Sequence, residues 1–408
     1  MNRHDAEALD AADPLAGFRN AFELPDGVIY LDGNSLGALP RATAARLDQV
    51  VRDEWGRGLI TSWNAAGWIE APQRVGAKIA RMIGAQAHEV VVADSTSVNL
   101  YKLAAGALSL RPGRRTILTE SGNFPTDVYV LEGLAALSGA KLKVVAPDAV
   151  QDAIDQDTAV VVLTHVHYKS ARRWDMAALT AAAHARGALA LWDLSHTTGA
   201  LAVDLNAAHA DLAVGCGYKY LNGGPGAPAF LYVAEQHQAA IRSPLFGWMG
   251  HAAPFAFEER YRPSAGIQAM LCGTPPILGL AALEVGLDLL LQAGPQAIEA
   301  KGLALCDLFI RLAEARCGGL DLTLTGPRDM ANRGLHVSFS HPDGYAVVQA
   351  LIARGVIGDF RDPDIARFGF SPLYLRYADV WEAVEILRQV LTTGAHNREE
   401  YQQRSAVT

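Results

Sequence analysis

The chain has 408 residues, half of them hydrophobic and 19% charged, with a net charge of −8. That is a globular balance with room for one large and one small domain, and its acidity argues against nucleic acid or an anionic membrane as the main partner. Cys216, Cys272, Cys306 and Cys317 form no CxxC pair, so neither a disulfide framework nor a metal site is expected; no apolar run nears the ~20 residues of a membrane span and the first residues are polar, so a soluble cytoplasmic protein is expected.

Residues 1–28 read as a short helix and a lead-in. Tyr30 to Gly37 is a brief strand running into a polar turn, in which Asn34 and Ser35 are ordinary turn formers, and Pro40 is expected to open a helix reaching Trp55. Trp55, Trp63 and Trp68 crowd one short segment; such density suits core, a subunit interface or the flat surface an aryl ligand needs. A strand over 89–93 leads into a helix ending near residue 110. Thr96 and Ser97 fall in its first turn, where free N–H groups and the positive dipole end make an anion site, although the same residues also serve as a plain N-cap.

Strands over 116–119, 141–145 and 159–165 then alternate with helices over 126–138, 149–155 and 176–186, which predicts a mostly parallel sheet covered on both faces. Asn123-Phe124-Pro125-Thr126-Asp127 falls at a strand end opening a helix. Phe124 there can stack on a flat ring, and Asp127 can reach a ligand's polar edge or charge the helix N-terminus. Thr164 ends the next strand. The buried run 188–193 closes on Asp193, with His196 three residues on. The apolar run 212–214 then passes through Gly215-Cys216-Gly217 to Tyr218-Lys219-Tyr220, turns at 222–226, and continues as the apolar run 227–233.

A lysine in a glycine-bounded turn between two buried strands is partly desolvated, which lowers its pKa and frees the amine as a nucleophile. An acid at the carboxyl end of a parallel strand sits where open α/β sheets bind ligands. Together Lys219 and Asp193 suit pyridoxal 5'-phosphate: the lysine carries the cofactor and the carboxylate pairs with its protonated ring nitrogen. Downstream, segments 245–251 and 271–276 bracket an irregular loop, followed by a helix over 276–291. From about residue 295 the order changes to that of a small α+β domain, with strand candidates at 336–340, 356–359 and 367–370. Arg367, inside an apolar strand, needs a partner, and its planar fork fits a carboxylate; Arg361 and Arg376 are its rivals.

The stretches DGNSLG (32–37), NFPTD (123–127), WDLSH (192–196) and GCGYKYLNGGPG (215–226) occur in an order that resembles the kynureninases, pyridoxal-phosphate enzymes of fold type I. The resemblance spans about residue 30 to the C-terminal domain and departs from the family at Gly217, where Thr or Ser is expected. It implies an α/β fold with a large domain at 41–294 built on a mostly parallel sheet of about seven strands, a small α+β domain at 295–408, and a segment 1–40 that joins the small domain and the site entrance. The implied reaction is hydrolytic Cβ–Cγ cleavage of L-kynurenine to anthranilate and L-alanine, with 3-hydroxykynurenine as the poorer substrate, in a homodimer whose active site lies at the subunit interface.

The implied roles follow residue by residue. Lys219, Tyr218 and Asp193 carry the chemistry, with Tyr218 made easier to ionise by a cationic cofactor. Thr96 and Ser97 hold the phosphate, and Phe124, Asp127, Thr164 and His196 contact the cofactor. Trp248 and Thr274 reach the partner's phosphate site. Arg367 holds the substrate α-carboxylate, and Asn34 and Ser35 line the entrance. The tryptophan-rich segment supplies an aryl contact, for which Trp63 stands as candidate with Trp55 and Trp68 still open. Two other readings are a cysteine desulfurase-like lyase, which needs a mobile catalytic cysteine that none of the four provides, and a non-catalytic ligand sensor, against which Lys219 and Asp193 both stand.

Overall fold

A computed structural model describes residues 1–404; the last four positions of the expected 295–408 domain lie outside the described residues. Seven strands form one sheet, in the order Val90–Val92, Phe230–Val233, Leu212–Gly215, Leu189–Asp193, Thr158–Thr164, Thr116–Glu120, Lys141–Val145. Phe230–Val233 runs antiparallel to both neighbours and the remaining pairs are parallel. Both faces are covered, so the central strands read as continuous apolar runs. In Leu189–Asp193, Ala190 and Trp192 enter one core cluster while Leu189 and Leu191 enter the other, the period-two alternation of a strand buried on both sides.

Local signals set the helices that cover the sheet. Ser95 caps Thr96–Leu110 by accepting from the Val98 amide at 3.4 Å. Pro125 begins Pro125–Ser138, which Gly139 ends in the left-handed conformation at φ 70°. The helix expected over 149–155 does not form. A single 3₁₀ turn, Pro147–Ala149, stands there, and the chain that follows is held by burial of Val150 and Ile154 and by Lys143 Nζ on the Ala153 carbonyl at 2.8 Å. Pro40 does not open a helix either: it pairs with Phe22 in a two-residue strand, and the helix starts at Ala42.

A second sheet of four antiparallel strands takes the order Thr323–Leu324, His336–Ser340, Ile365–Gly369, Asp359–Arg361. The strand expected over 356–359 splits. Val356–Ile357 pairs in parallel with Ile29–Tyr30, and Asp359–Arg361 joins the sheet. The break is at Gly358, where a Cβ would lie 2.8 Å from the Arg367 carbonyl oxygen. The N-terminal segment is therefore stitched to this second sheet. Its helix Arg3–Ala11 packs on Tyr377–Thr392, whose first amides, Tyr377 and Ala378, donate to Asp10 at 2.6 and 3.1 Å. Among the described residues no single helix is long and apolar enough to cross a membrane.

Candidate active site

A cavity of about 160 Å³ opens at the carboxyl ends of the parallel strands, the place where open α/β sheets take ligands. Thr164 and Asp193 sit opposite each other in register at the ends of adjacent strands and both face it. The Ser195 amide donates to Asp193 Oδ1 at 2.7 Å, which holds that carboxylate in place. Asp127 comes from the first turn of Pro125–Ser138 and is buried, with Thr164 Oγ1 3.3 Å from its Oδ2. Burial, and then the Asp193 carboxylate beside it, push the Asp127 carboxyl well above the usual carboxylate range. Asp127 is therefore the member of the pair that takes up a proton the more readily.

Lys219 stands at the centre. Its Nζ is 2.8 Å from His196 Nε2, and burial pushes its ammonium below the usual lysine value. The turn that carries it is shaped by close approaches. Gly37 donates its amide to the Tyr218 carbonyl at 2.8 Å, and a Cβ on Gly37 would lie 2.3 Å from the Lys219 carbonyl oxygen, so the N-terminal segment can dock here only through a glycine. A Cβ on Gly217 would likewise lie 2.3 Å from the Pro228 carbonyl oxygen. In this chain the departure from Thr or Ser is matched by a backbone with no room for a side chain.

Burial pushes the Tyr218 phenol up, and the Cys216 thiol and the carboxylates of Asp193 and Asp127 add to it. The chain itself raises this phenol through its low-dielectric interior and acidic neighbours; the expected fall is an effect of a bound cationic cofactor. At the other end of the cavity, Thr96 and Ser97 line the opening turn of Thr96–Leu110. Thr96 Oγ1 is buried without a partner among the described residues. An orphaned hydroxyl at a helix N-terminus fits an oxyanion. The Phe124 ring lines the wall with its centroid 5.9 Å from Lys219 Nζ, and the Tyr168 ring meets it edge to face at 5.2 Å. An anion cradle, a flat face, a buried carboxylate and a desolvated amine in one cavity fit pyridoxal phosphate.

The other expected residues lie outside this cavity. Arg367 and Asp359 are directly opposed on neighbouring strands. Arg367 Nε donates to Asp359 Oδ1 at 2.7 Å, Nη2 donates to Asp359 Oδ2 and, at 2.8 Å, to Ser35 Oγ, and Nη1 donates to the Tyr168 carbonyl at 2.6 Å. Arg367 thus stands behind the cavity wall and fastens the loop that carries Tyr168. Ser35 is part of this ion cluster, donating to Asp359 Oδ2 at 2.7 Å. Asn34 is fully buried with both amide atoms unpartnered, packed where a Cβ on Gly369 would strike its side chain. Arg361 and Asp32 complete the cluster, and burial followed by repulsion from Asp359 pushes the Asp32 carboxyl up. Arg376 is taken up by Asp379.

Trp63 packs edge-on to Trp68 at 6.0 Å, Trp248 lies against Phe255 and Phe257, and Thr274 is exposed. None of the three reaches the cavity within one chain. Conversely, sequence reasoning missed Tyr168, Ser195 and Thr126 as lining residues. Thr126 and Ser195 were in plain view, each inside a motif already singled out. Tyr168 was not legible, since it lies in an irregular segment whose path is set by the second sheet.

Comparison with known proteins agrees with this layout. Residues 298–387 match the family model of the kynureninase C-terminal domain. Kynureninase of Pseudomonas fluorescens is 54% identical over 100% of this chain and 99% of its own length, and that of Burkholderia mallei strain SAVP1 is 52% identical with the same coverage. Among solved structures, the apo cysteine desulfurase of Thermococcus onnurineus NA1 superposes with a TM-score of 0.78 at 20% identity, covering 92% of this chain and 98% of that one. The cystine C–S lyase C-DES in complex with cysteine persulfide superposes at 0.76 with 15% identity, covering 89% and 98%. At such low identity these two share the fold alone, the α/β architecture of fold type I. The full-length likeness is of a different order, and by it the chain belongs to the kynureninase family.

Proposed function

We propose that this protein is a pyridoxal-phosphate-dependent hydrolase that cleaves the Cβ–Cγ bond of L-kynurenine to give anthranilate and L-alanine. The observation that carries the reading is identity above half, along the whole chain, with proteins named kynureninase. Behind it stands one cavity that holds Lys219, Asp193, Tyr218 and the Thr96–Ser97 turn.

Lys219 is the residue to carry the cofactor, Thr96 and Ser97 to hold its phosphate, and Asp193, backed by Asp127, to face its ring nitrogen. Bound there, pyridoxal phosphate supplies the electron sink that side chains lack. Burial leaves the Lys219 amine free to take the substrate's Cα proton. Tyr218 is placed one residue from that amine; it hydrogen-bonds the γ-carbonyl as water adds and then delivers a proton to Cβ, forming the methyl of alanine. Phe124 and Tyr168 give the cavity its flat wall, against which the cofactor ring can lie. Arg367 is the cation for the α-carboxylate in this reading, with Arg361 beside it; because Asp359, Ser35 and the Tyr168 carbonyl already engage Arg367, the substrate carboxylate has to displace one of those bonds.

A homodimer completes the proposal. The exposed aromatic side chains Phe246, Trp248, Phe255 and Phe257, and separately Trp55, Ile60 and Leu278, are apolar surface that favours a partner copy, and Trp248 and Thr274 would then serve the partner's site. A cysteine desulfurase reading is not favoured: Cys216 is buried and burial pushes its thiol up, the opposite of a reactive thiolate. The test is turnover of L-kynurenine by purified protein, following anthranilate fluorescence and visible cofactor absorbance together. Cofactor absorbance without anthranilate would point to another reaction on the same fold.

A further inference from the structure

Behind Lys219 lies a second buried imidazole that the proposed reaction does not use. His336 opens the strand His336–Ser340, is fully buried, and has no hydrogen-bond partner on Nδ1 or Nε2 among the described residues. Its ring meets the His196 ring edge to face, with centroids 5.2 Å apart. His196 Nδ1 also lacks a partner, while its Nε2 lies 2.8 Å from Lys219 Nζ. A buried polar atom without a partner is a rarity that calls for a physical reason, and here three ring nitrogens share one spot.

Donor and acceptor chemistry orders the pair. Lys219 can donate to His196 Nε2 only if that nitrogen carries the lone pair, which places the ring proton on Nδ1. A buried Nδ1–H with no acceptor disfavours that tautomer. Burial, with Lys219, Arg367 and Arg361 facing His196 and with Arg367, Arg333, His167 and Lys219 facing His336, holds both rings neutral. Each ring therefore offers one N–H and one lone pair. Arg333 pins the strand start by donating to the His336 carbonyl at 2.8 Å, so the imidazole has a fixed base from which to turn.

We propose that His336 is a positioning residue for Lys219: its ring accepts the Nδ1 proton of His196 in a hydrogen bond, by a turn of the ring or through one water, and so fixes His196 as the acceptor for the lysine amine. This deepens the proposed function, because it rests on Lys219 being the cofactor lysine. No bond breaks and no electrons move; the proton stays on His196.

The test uses apoenzyme and does not require kynurenine. Nitrogen NMR of the histidines should show His196 protonated on Nδ1 with Nε2 accepting; a proton on Nε2 would overturn the proposal. The second readout is the pH dependence of the rate at which apoenzyme takes up pyridoxal phosphate, which reports the Lys219 amine. His336→Phe keeps a flat buried ring but removes both nitrogens. Its midpoint should move to lower pH by about one unit, because the charged amine loses support from its acceptor, and His336→Gln, which can donate and accept, should move it back. A Phe variant with the parent's midpoint would make His336 a packing residue only. If that variant does not fold, NMR on the parent alone decides. Normal uptake and the expected tautomer with no kynurenine turnover would sink the proposed reaction and leave this inference standing.

Discussion

The cavity and the ion cluster behind it are built on opposite plans. The cavity leaves polar atoms open: among the described residues Thr96 Oγ1 has no partner and the Lys219 amine has only His196. The cluster is largely closed, paired within itself: Asp359 is held by Arg361, Arg367 and Ser35, although Asp32 Oδ1 and Arg361 Nε have no partner among the described residues. Open valences on a rigid sheet edge are a site waiting for a ligand that supplies the missing bonds. The paired knot around Asp359 and Arg367 holds three pieces of chain in register: the N-terminal segment, the Tyr168 loop and the second sheet. The difference teaches that Arg367 serves as scaffold, so damage to the two regions should look different.

The largest effect should come from the open side. Lys219→Ala should remove the visible absorbance that borohydride fixes on the parent's Lys219 peptide, and turnover with it. A pyridoxyl label on another peptide in the parent would move the site elsewhere. Next, Tyr218→Phe should still take up cofactor and exchange the substrate Cα proton with solvent deuterium, while cleavage falls by roughly 10²–10⁴-fold. Equal losses in exchange and cleavage would leave Tyr218 a cofactor anchor.

On the closed side, stability should suffer together with binding. Arg367→Leu leaves Asp359 with Arg361 and Ser35 alone, so the loss should approach but not reach the roughly 3–5 kcal/mol of a buried pair broken outright. Urea melts should show that loss alongside a raised KM, with cofactor still bound. If Arg367→Leu is as stable as the parent and only KM rises, the scaffold role is wrong. A smaller effect concerns the aryl group. A phenol buried without a partner costs on the order of 1–3 kcal/mol, so competitive turnover should favour kynurenine over 3-hydroxykynurenine by the corresponding factor; a preference for the hydroxylated substrate would require a polar group in the aryl pocket.

The smallest effect is a pH slope. Asp32 is pushed up to about 8 in the folded chain, against ~3.9 when unfolded. Below the ordinary carboxylate range both states are protonated and the group is neutral in its effect. As pH rises towards 8 the unfolded chain gives up a proton that the folded chain keeps, so stability falls. Coupling to Asp359 spreads this over the pair, leaving a fraction of about 1.4 kcal/mol per pH unit. Asp32→Asn should flatten that part of the stability profile, measured by melts across pH 4–8.

Much of the open side was legible beforehand, because its residues sit where local rules put them. Asp193 and Thr164 end apolar strands, Thr96 and Asp127 open helices, and Lys219 stands in a glycine-bounded turn; strand ends and helix starts in a parallel sheet converge on one edge. The closed side was not legible. Ser35 read as a turn former, Arg367 read as needing a partner with a substrate carboxylate in view, and nothing local said that Asp359 on the neighbouring strand would be that partner or that Tyr168 would be drawn over the cavity. Chain chemistry by itself determined which groups could bind and react: the amine, the carboxylates, the phenol and the hydroxyls at a helix start. Only the tertiary structure decided which of them stay unsatisfied, because pairing between residues hundreds of positions apart depends on strand register and burial, and those raise the phenol of Tyr218 and occupy the guanidinium of Arg367.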